Sequence, residues 1–119
     1  MHTMLIVEDE PKLCRCLQEF FSGRGFSVAA VTSGEEAVEW LGTSAADVVL
    51  LDVILPGLSG LEVLKCVKQL HPHTQVIMVT ALDQEEVRET AHRYGATAYI
   101  TKPFDFSEAT WAPILTQRE

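Results

Sequence analysis

Five short apolar runs, none of them alternating, recur along the chain: Met4-Leu5-Ile6-Val7, Val28-Ala29-Ala30-Val31, Val48-Val49-Leu50-Leu51, Val76-Ile77-Met78-Val79 and Ala98-Tyr99-Ile100. A strand with one wet face alternates apolar and polar residues, whereas a run apolar throughout needs cover on both faces. The segments between the runs supply that cover, because their apolar residues repeat at helical spacing. Leu13, Leu17, Phe20 and Phe21 form one stripe, and Ala37, Val38 and Leu41 a second. Leu64, Val67 and Leu70 form a third, and Val87, Ala91 and Tyr94 a fourth. Ser33 with Glu36 and Ser59 with Glu62 have capping-box spacing, and Asp83 with Glu86 offers a carboxylate version. Pro11 suits a first helical turn and Gly95 a helix end.

Strand and helix thus alternate five times, which predicts right-handed crossovers and helices on both faces of a parallel sheet. The expected fold class is α/β: a doubly wound five-stranded parallel sheet, flavodoxin-like, in the order 2-1-3-4-5. A chain of 119 residues supports one such domain over 1–119 and a core that needs no staples. The three cysteines (Cys14, Cys16 and Cys66) are an odd number. They read as reduced thiols in a cytoplasmic protein. The longest apolar runs are too short for a membrane span, and no basic stretch followed by an apolar region signals secretion. Nine basic against seventeen acidic residues leave a net charge of −8, which disfavours direct binding of nucleic acid phosphates.

In such a fold the chemistry lies beyond the carboxyl ends of the strands, near the switch between strands 1 and 3. Four of the five runs end on polar or ionisable groups: Glu8, Asp9 and Glu10 after the first, Asp52 after the third, Thr80 after the fourth and Lys102 just after the fifth. Strands 1 and 3 are neighbours, so Asp9, Asp52 and Glu8 should meet. Two like charges 4 Å apart repel by about 4 kcal/mol at an effective dielectric near 20. Lys102 alone cannot neutralise three acids, and hard oxygen ligands without Cys or His partners point to Mg²⁺. A carboxylate beside Mg²⁺, an ammonium and a hydroxyl is a set of parts for phosphoryl transfer. Asp52 would be the nucleophile, Thr80 a donor to the arriving phosphoryl group, and small Ala81 would keep the entry uncrowded.

The segments Leu5–Pro11 (LIVEDEP), Leu51–Gly60 (LDVILPGLSG), Val79–Ala81 (VTA) and Tyr99–Phe104 (YITKPF) together resemble the receiver domain of two-component response regulators. That resemblance implies a phosphorylation-controlled signalling switch and not an enzyme in its own right. Asp52 would accept phosphate from a sensor histidine kinase or phosphotransfer protein. Glu8, Asp9, Asp52 and the Ile54 main-chain carbonyl would hold Mg²⁺. Thr80, Ala81 and Lys102 would contact the phosphoryl group, Thr80 and Tyr99 would act as the switch pair, and the Lys102-Pro103 peptide would be cis. Aliphatic residues at Ile54 and Leu82 leave no group to assist an attacking water, so slow self-dephosphorylation is expected. The output would be a further domain or a partner protein reached through the face of helix 4, strand 5 and helix 5, with a phosphorylation-dependent homodimer as one form. The chain could be free-standing, a phosphorelay intermediate, or part of a longer protein.

The expected last helix, 106–119, departs from the pattern, because Pro113 costs about 3 kcal/mol in a helix interior. It should be shortened, kinked or restarted there. His71-Pro72-His73 reads as a surface turn, since no acid or thiol lies near it in sequence. The charges of Glu85, Glu86, Arg88, Glu89 and Arg93 read as a solvated face. Trp40 and Trp111 read as half-buried anchors. Three rival functions are weaker. An aspartyl phosphatase of the haloacid dehalogenase type needs a second Asp where Ile54 stands. An FMN carrier needs a first loop that attracts phosphate, and Glu8-Asp9-Glu10 repels it. A non-phosphorylated scaffold receiver has no reason to keep all of the site residues.

Overall fold

The computed structural model describes residues 2–115. Strands β1 (His2–Val7), β2 (Phe26–Val31), β3 (Val48–Leu51), β4 (Gln75–Thr80) and β5 (Ala98–Thr101) alternate with helices α1 (Pro11–Ser22), α2 (Gly34–Thr43), α3 (Gly60–Leu70), α4 (Glu85–Arg93) and α5 (Glu108–Leu115). The strands form one sheet in the order β2-β1-β3-β4-β5, and every pairing is parallel.

The alternating side chains of the central strands divide the interior in two. Leu5, Val7, Val49, Leu51, Val76 and Met78 face Ala37 and Leu41 of α2, Val63, Leu64 and Val67 of α3, and Ala91 of α4. Met4, Ile6, Val48, Leu50, Ile77 and Val79 face Cys14, Leu17 and Phe21 of α1 and Trp111 and Ile114 of α5. Each large apolar side chain buried this way contributes about 1.5–3 kcal/mol. Strands β1, β3 and β4 are buried for most of their length, whereas β5 and most of β2 are only half-buried. Cover on both faces was expected for all five runs. The two outer strands have it as well, with Ala29, Val31 and Tyr99 packed on one half of the interior and Val28, Ala30, Ala98 and Ile100 on the other; they are less deeply buried because each has a neighbouring strand on one side only.

Helix starts follow local chemistry. Pro11 opens α1 at its first turn, where a missing N–H costs nothing. The Ser33 hydroxyl accepts from Glu36 N at 3.1 Å, and the Glu36 carboxylate accepts in turn from Thr32 N at 2.8 Å. Ser59 accepts from Glu62 N at 3.4 Å. The expected Asp83 cap does not form: α4 begins at Glu85 after Gln84, and Asp83 instead accepts from Arg88 Nε at 3.0 Å. Leu70, expected in the buried stripe of α3, is 50% exposed because the helix ends there.

The last helix is shorter than the expected 106–119. The Asp105 carboxylate accepts from Ser107 N, Ser107 Oγ and Thr110 Oγ1, a turn that delays the helix to Glu108. Residues 116–119 lie outside the described residues. Pro113 sits inside the helix, and the carbonyl it orphans belongs to exposed Ala109, where water can reach it. Trp111 and Ile114, 0% and 1% exposed, anchor the chain on either side of the proline. Their burial offsets its cost. Trp111 is therefore a core residue and not the half-buried anchor expected. Trp40 is half-buried as read from the sequence.

Candidate functional site

The carboxyl ends of β1, β3, β4 and β5 bring their polar residues into one crevice. Backbone bonds set the frame. Glu8 N donates to Val31 O at 3.1 Å, Asp52 N to Val7 O at 3.3 Å, and Lys102 N to Thr80 O at 2.8 Å. Each functional residue is thereby pinned as its strand ends. Glu8 is 2% and Asp52 5% exposed, and Asp9 stands at the rim. One carboxylate oxygen from each of Glu8, Asp9 and Asp52 lies within 4.8 Å of the others.

Lys102 holds the two buried acids together. Its Nζ lies 2.8 Å from Asp52 Oδ2, 2.9 Å from Glu8 Oε1 and 3.8 Å from Glu10 Oε1. The remaining oxygens have partners too: Asp52 Oδ1 accepts from Ile54 N at 3.0 Å, and Glu8 Oε2 from Glu10 N at 3.1 Å. Burial raises the Glu8 carboxyl above its ordinary value despite these bonds. For Lys102, burial works against the ammonium, but the hydrogen bonds it donates to Asp52 and Glu8 outweigh it, and its pKa rises above 10.5. A pKa raised by folding stabilises the fold below the unfolded value, and that stability is lost as pH climbs through the folded value. Chemical denaturation in metal-free buffer should therefore show stability falling above pH 10.5. The fall should be smaller in Lys102→Met, and equal slopes would deny the ammonium this part.

Thr80 is fully buried, and its Oγ1 accepts from Leu82 N at 3.3 Å. The Leu82 carbonyl accepts from the Tyr99 hydroxyl, and Arg88 lies over the Tyr99 ring at 4.7 Å. Thr80 and Tyr99 are thus joined through one residue of the β4–α4 loop. Lys102-Pro103 is cis. Ala81 is exposed and borders an apolar groove with Leu13, Cys16, Phe104 and Phe106. Ile54 is 57% exposed at the mouth.

Two supports escaped sequence reasoning. A Cβ at Gly60 would lie 2.0 Å from the Asp52 carbonyl oxygen, so the start of α3 closes against the Asp52 peptide only without a side chain. The single signal was a glycine immediately after the Ser59 cap. Gly60→Ala must displace that peptide, with an expected loss of about 1–3 kcal/mol in urea unfolding. A variant as stable as the parent would contradict the contact. Glu35 of α2 accepts from Leu58 N at 2.9 Å, and its carboxylate packs where a Cβ on Gly57 (φ +73°) would stand. Nothing local in the sequence marks Glu35 as a partner of the β3–α3 loop.

Fold and crevice together define an α/β domain that gathers carboxylates, one lysine and a threonine at the carboxyl edge of a parallel sheet. The model of the response regulator receiver domain matches residues 4–112, and the chain belongs to this family. It is 43% identical over 105 residues to the uncharacterized transcriptional regulatory protein YkoG of Bacillus subtilis, covering 88% of this chain and 46% of that one. It is 38% identical over 104 residues to the DNA-binding transcriptional regulator NtrC of Klebsiella pneumoniae, covering 87% and 22%. The chain thus spans less than half the length of these relatives. Among solved structures, it resembles the receiver domain of Francisella response regulator 1452 (TM-score 0.86, 28% identity, 99% and 98% covered). It also resembles the receiver domain of the Pseudomonas aeruginosa sensor histidine kinase PA1611 with magnesium coordinated in the active site cleft (TM-score 0.82, 25% identity, 94% and 93% covered). Among the described residues, no helix is long and apolar enough to cross a membrane.

Proposed function

We propose that this receiver domain is a phosphorylation-controlled switch whose phosphoacceptor is Asp52. The observation that carries the reading is a nearly buried carboxylate gripped by Lys102 at 2.8 Å, with two further acids within 4.8 Å. Such a nucleophile is oriented and charge-balanced before the donor arrives. An Asp52 oxygen attacks the phosphorus of a phosphohistidine on a sensor kinase or phosphotransfer protein, the N–P bond breaks, and the imidazole leaves. Lys102 moves from bridging two acids to stabilising the phosphoryl oxygens.

The donor set fits a hard divalent cation: Glu8, Asp9, Asp52 and the Ile54 main-chain carbonyl would hold Mg²⁺, which when bound supplies charge neutralisation at the transferring phosphoryl group. A ligand present at 100 times its Kd stabilises a fold by about 2.7 kcal/mol. Saturating Mg²⁺ should thus raise the melting temperature, and Asp9→Asn should erase the rise, because Asp9 stands at the exposed rim and contributes little else. A Mg²⁺ response that survives Asp9→Asn would place the cation elsewhere.

Phosphorylation adds about −1.5 to −2 charges beside Thr80. A hydroxyl drawn towards that group leaves Leu82 N, to which Thr80 Oγ1 is bonded at 3.3 Å. The Leu82 carbonyl then shifts under the Tyr99 hydroxyl, and the face of α4, β5 and α5 repacks as a shift between two populations. The output belongs to a further domain or partner protein; the relatives' names make transcriptional control the leading form, and a phosphorylation-dependent homodimer is compatible with it. Ile54 and Leu82 offer no base to an attacking water, so the acyl phosphate should be long-lived. Incubation with Mg²⁺ and acetyl phosphate, followed by intact mass, tests the proposal: one phosphoryl adduct, labile to hydroxylamine, is expected. No adduct under these conditions or with a phosphohistidine donor would refute it.

A further inference from the structure

The loop between β3 and α3 carries Ile54, whose main-chain carbonyl is one of the ligands expected for Mg²⁺, and its two ends are fastened from within. Ile54 N donates to Asp52 Oδ1 at 3.0 Å, and Gly60 N donates to Val53 O at 2.9 Å. The stretch between them is poor in such ties. Pro56 has no N–H to give, and Gly57 turns with a φ of +73°, which side chains rarely adopt. Among the described residues, the backbone of 55–58 makes one hydrogen bond to a protein partner, from Leu58 N to Glu35 Oε2 at 2.9 Å. Glu35 belongs to the first turn of α2, 23 positions away in the chain.

The fit around that bond is close. A Cβ on Gly57 would stand 2.5 Å from Glu35 Oε2 and 2.7 Å from Glu35 Oε1, so the carboxylate fills the space that the missing side chain leaves. A Cβ on Gly34 would stand 2.5 Å from the Leu58 carbonyl oxygen, so the first turn of α2 lies directly against the loop backbone. Leu55 and Leu58, both half-buried, hold the loop down by apolar contact. Such contact is non-directional. A hydrogen bond to an ionised carboxylate is directional and roughly twice as strong as its neutral counterpart. Ile54 is 57% exposed, so its own side chain does little to fix its peptide.

We propose that Glu35 is a positioning residue of the crevice: from α2 it holds the β3–α3 loop so that the Ile54 carbonyl is oriented before the cation arrives. The inference rests on the reading of Glu8, Asp9, Asp52 and Ile54 as the Mg²⁺ ligands; Glu35 is not a ligand and acts through the loop. A site that keeps its binding geometry for only part of the time loses affinity by that fraction, so Glu35→Ala should weaken Mg²⁺ binding about 5-fold. Glu35→Gln removes the charge but keeps an oxygen acceptor for Leu58 N, and it should bind nearly as the parent does. The test is amide-resolved NMR of the full chain, first without metal and then titrated with Mg²⁺ at constant ionic strength. In metal-free Glu35→Ala, the Leu58 amide should lose protection from solvent exchange while the amides of β1 and β3 keep theirs. Thermal unfolding checks that both variants fold. Equal affinities in the parent and Glu35→Ala would overturn the proposal. A Glu35→Gln as weak as the alanine variant would overturn it too, since the effect would then belong to charge or to the start of the helix. Both of those outcomes leave the cation reading standing. A parent that binds no Mg²⁺, or whose binding is untouched by Asp9→Asn, would strike that reading and this inference together.

Discussion

Asp52→Asn should fold as the parent does and carry no phosphoryl group after exposure to Mg²⁺ and acetyl phosphate. The expected loss is complete, because a carboxamide is not a nucleophile towards phosphorus and the neighbouring carboxylates are not placed to replace it. Glu8 is 2% exposed and engaged by both Lys102 and Glu10 N, while Asp9 sits at the rim. The substitution should be gentle on the fold. An asparagine oxygen can still accept from Ile54 N, and Lys102 keeps Glu8 at 2.9 Å, so no ammonium is left alone in the interior. Removing one partner of a buried pair costs about 3–5 kcal/mol when the other charge is stranded; here the ammonium retains a partner, and the change should be well below that. Intact mass reads the adduct and thermal unfolding reads the fold. A full adduct on Asp52→Asn would move the phosphoacceptor elsewhere, and an unfolded variant would show that Asp52 is chiefly structural. In the parent, an adduct lasting only seconds would contradict the part given to Ile54 and Leu82.

Trp111→Ala carries the largest expected loss of stability, about 3–5 kcal/mol. The indole is 0% exposed. It makes edge contacts with Phe21 at 5.2 Å and Phe104 at 5.1 Å and stacks on Phe106 at 6.2 Å. Its Nε1 donates to the Asp105 carbonyl at 2.8 Å. Truncation would leave a void among aromatic rings and an unpaired carbonyl, and it would unfasten a helix already weakened by Pro113. The loss of a few kcal/mol is a large share of the 5–15 kcal/mol that holds a domain of this size. Urea unfolding measures it, and Trp111→Phe should recover much of the packing but not the hydrogen bond. A cost under about 1 kcal/mol for the alanine variant would mean that α5 contributes little to the core.

Much of this architecture was legible in the sequence because it is written locally. The Val48–Leu51 run and the Leu13, Leu17 and Phe21 stripe each report their burial over a few residues. The Ser33 and Ser59 caps depend only on residues three positions away. The acids after β1 and β3 could be placed together because a parallel sheet with this alternation admits few strand orders. Where the reading failed, a competing partner or the end of an element decided. Asp83 had Arg88 available and left the cap; Leu70 met the end of α3; Trp111 found a pocket among phenylalanines that no local pattern announces.

The amino-acid order alone determined the elements, their alternation, the candidate phosphoacceptor and the family, since periodicity, capping and contiguous motifs act within a turn or a strand. The tertiary structure decided the rest. It placed Lys102 on Asp52 across 50 positions of chain and on Glu8 beside it, and it seated the start of α3 against the Asp52 peptide through Gly60. Such meetings depend on strand register and crossover packing, which sum contributions from the whole chain and leave no mark on any one segment of it.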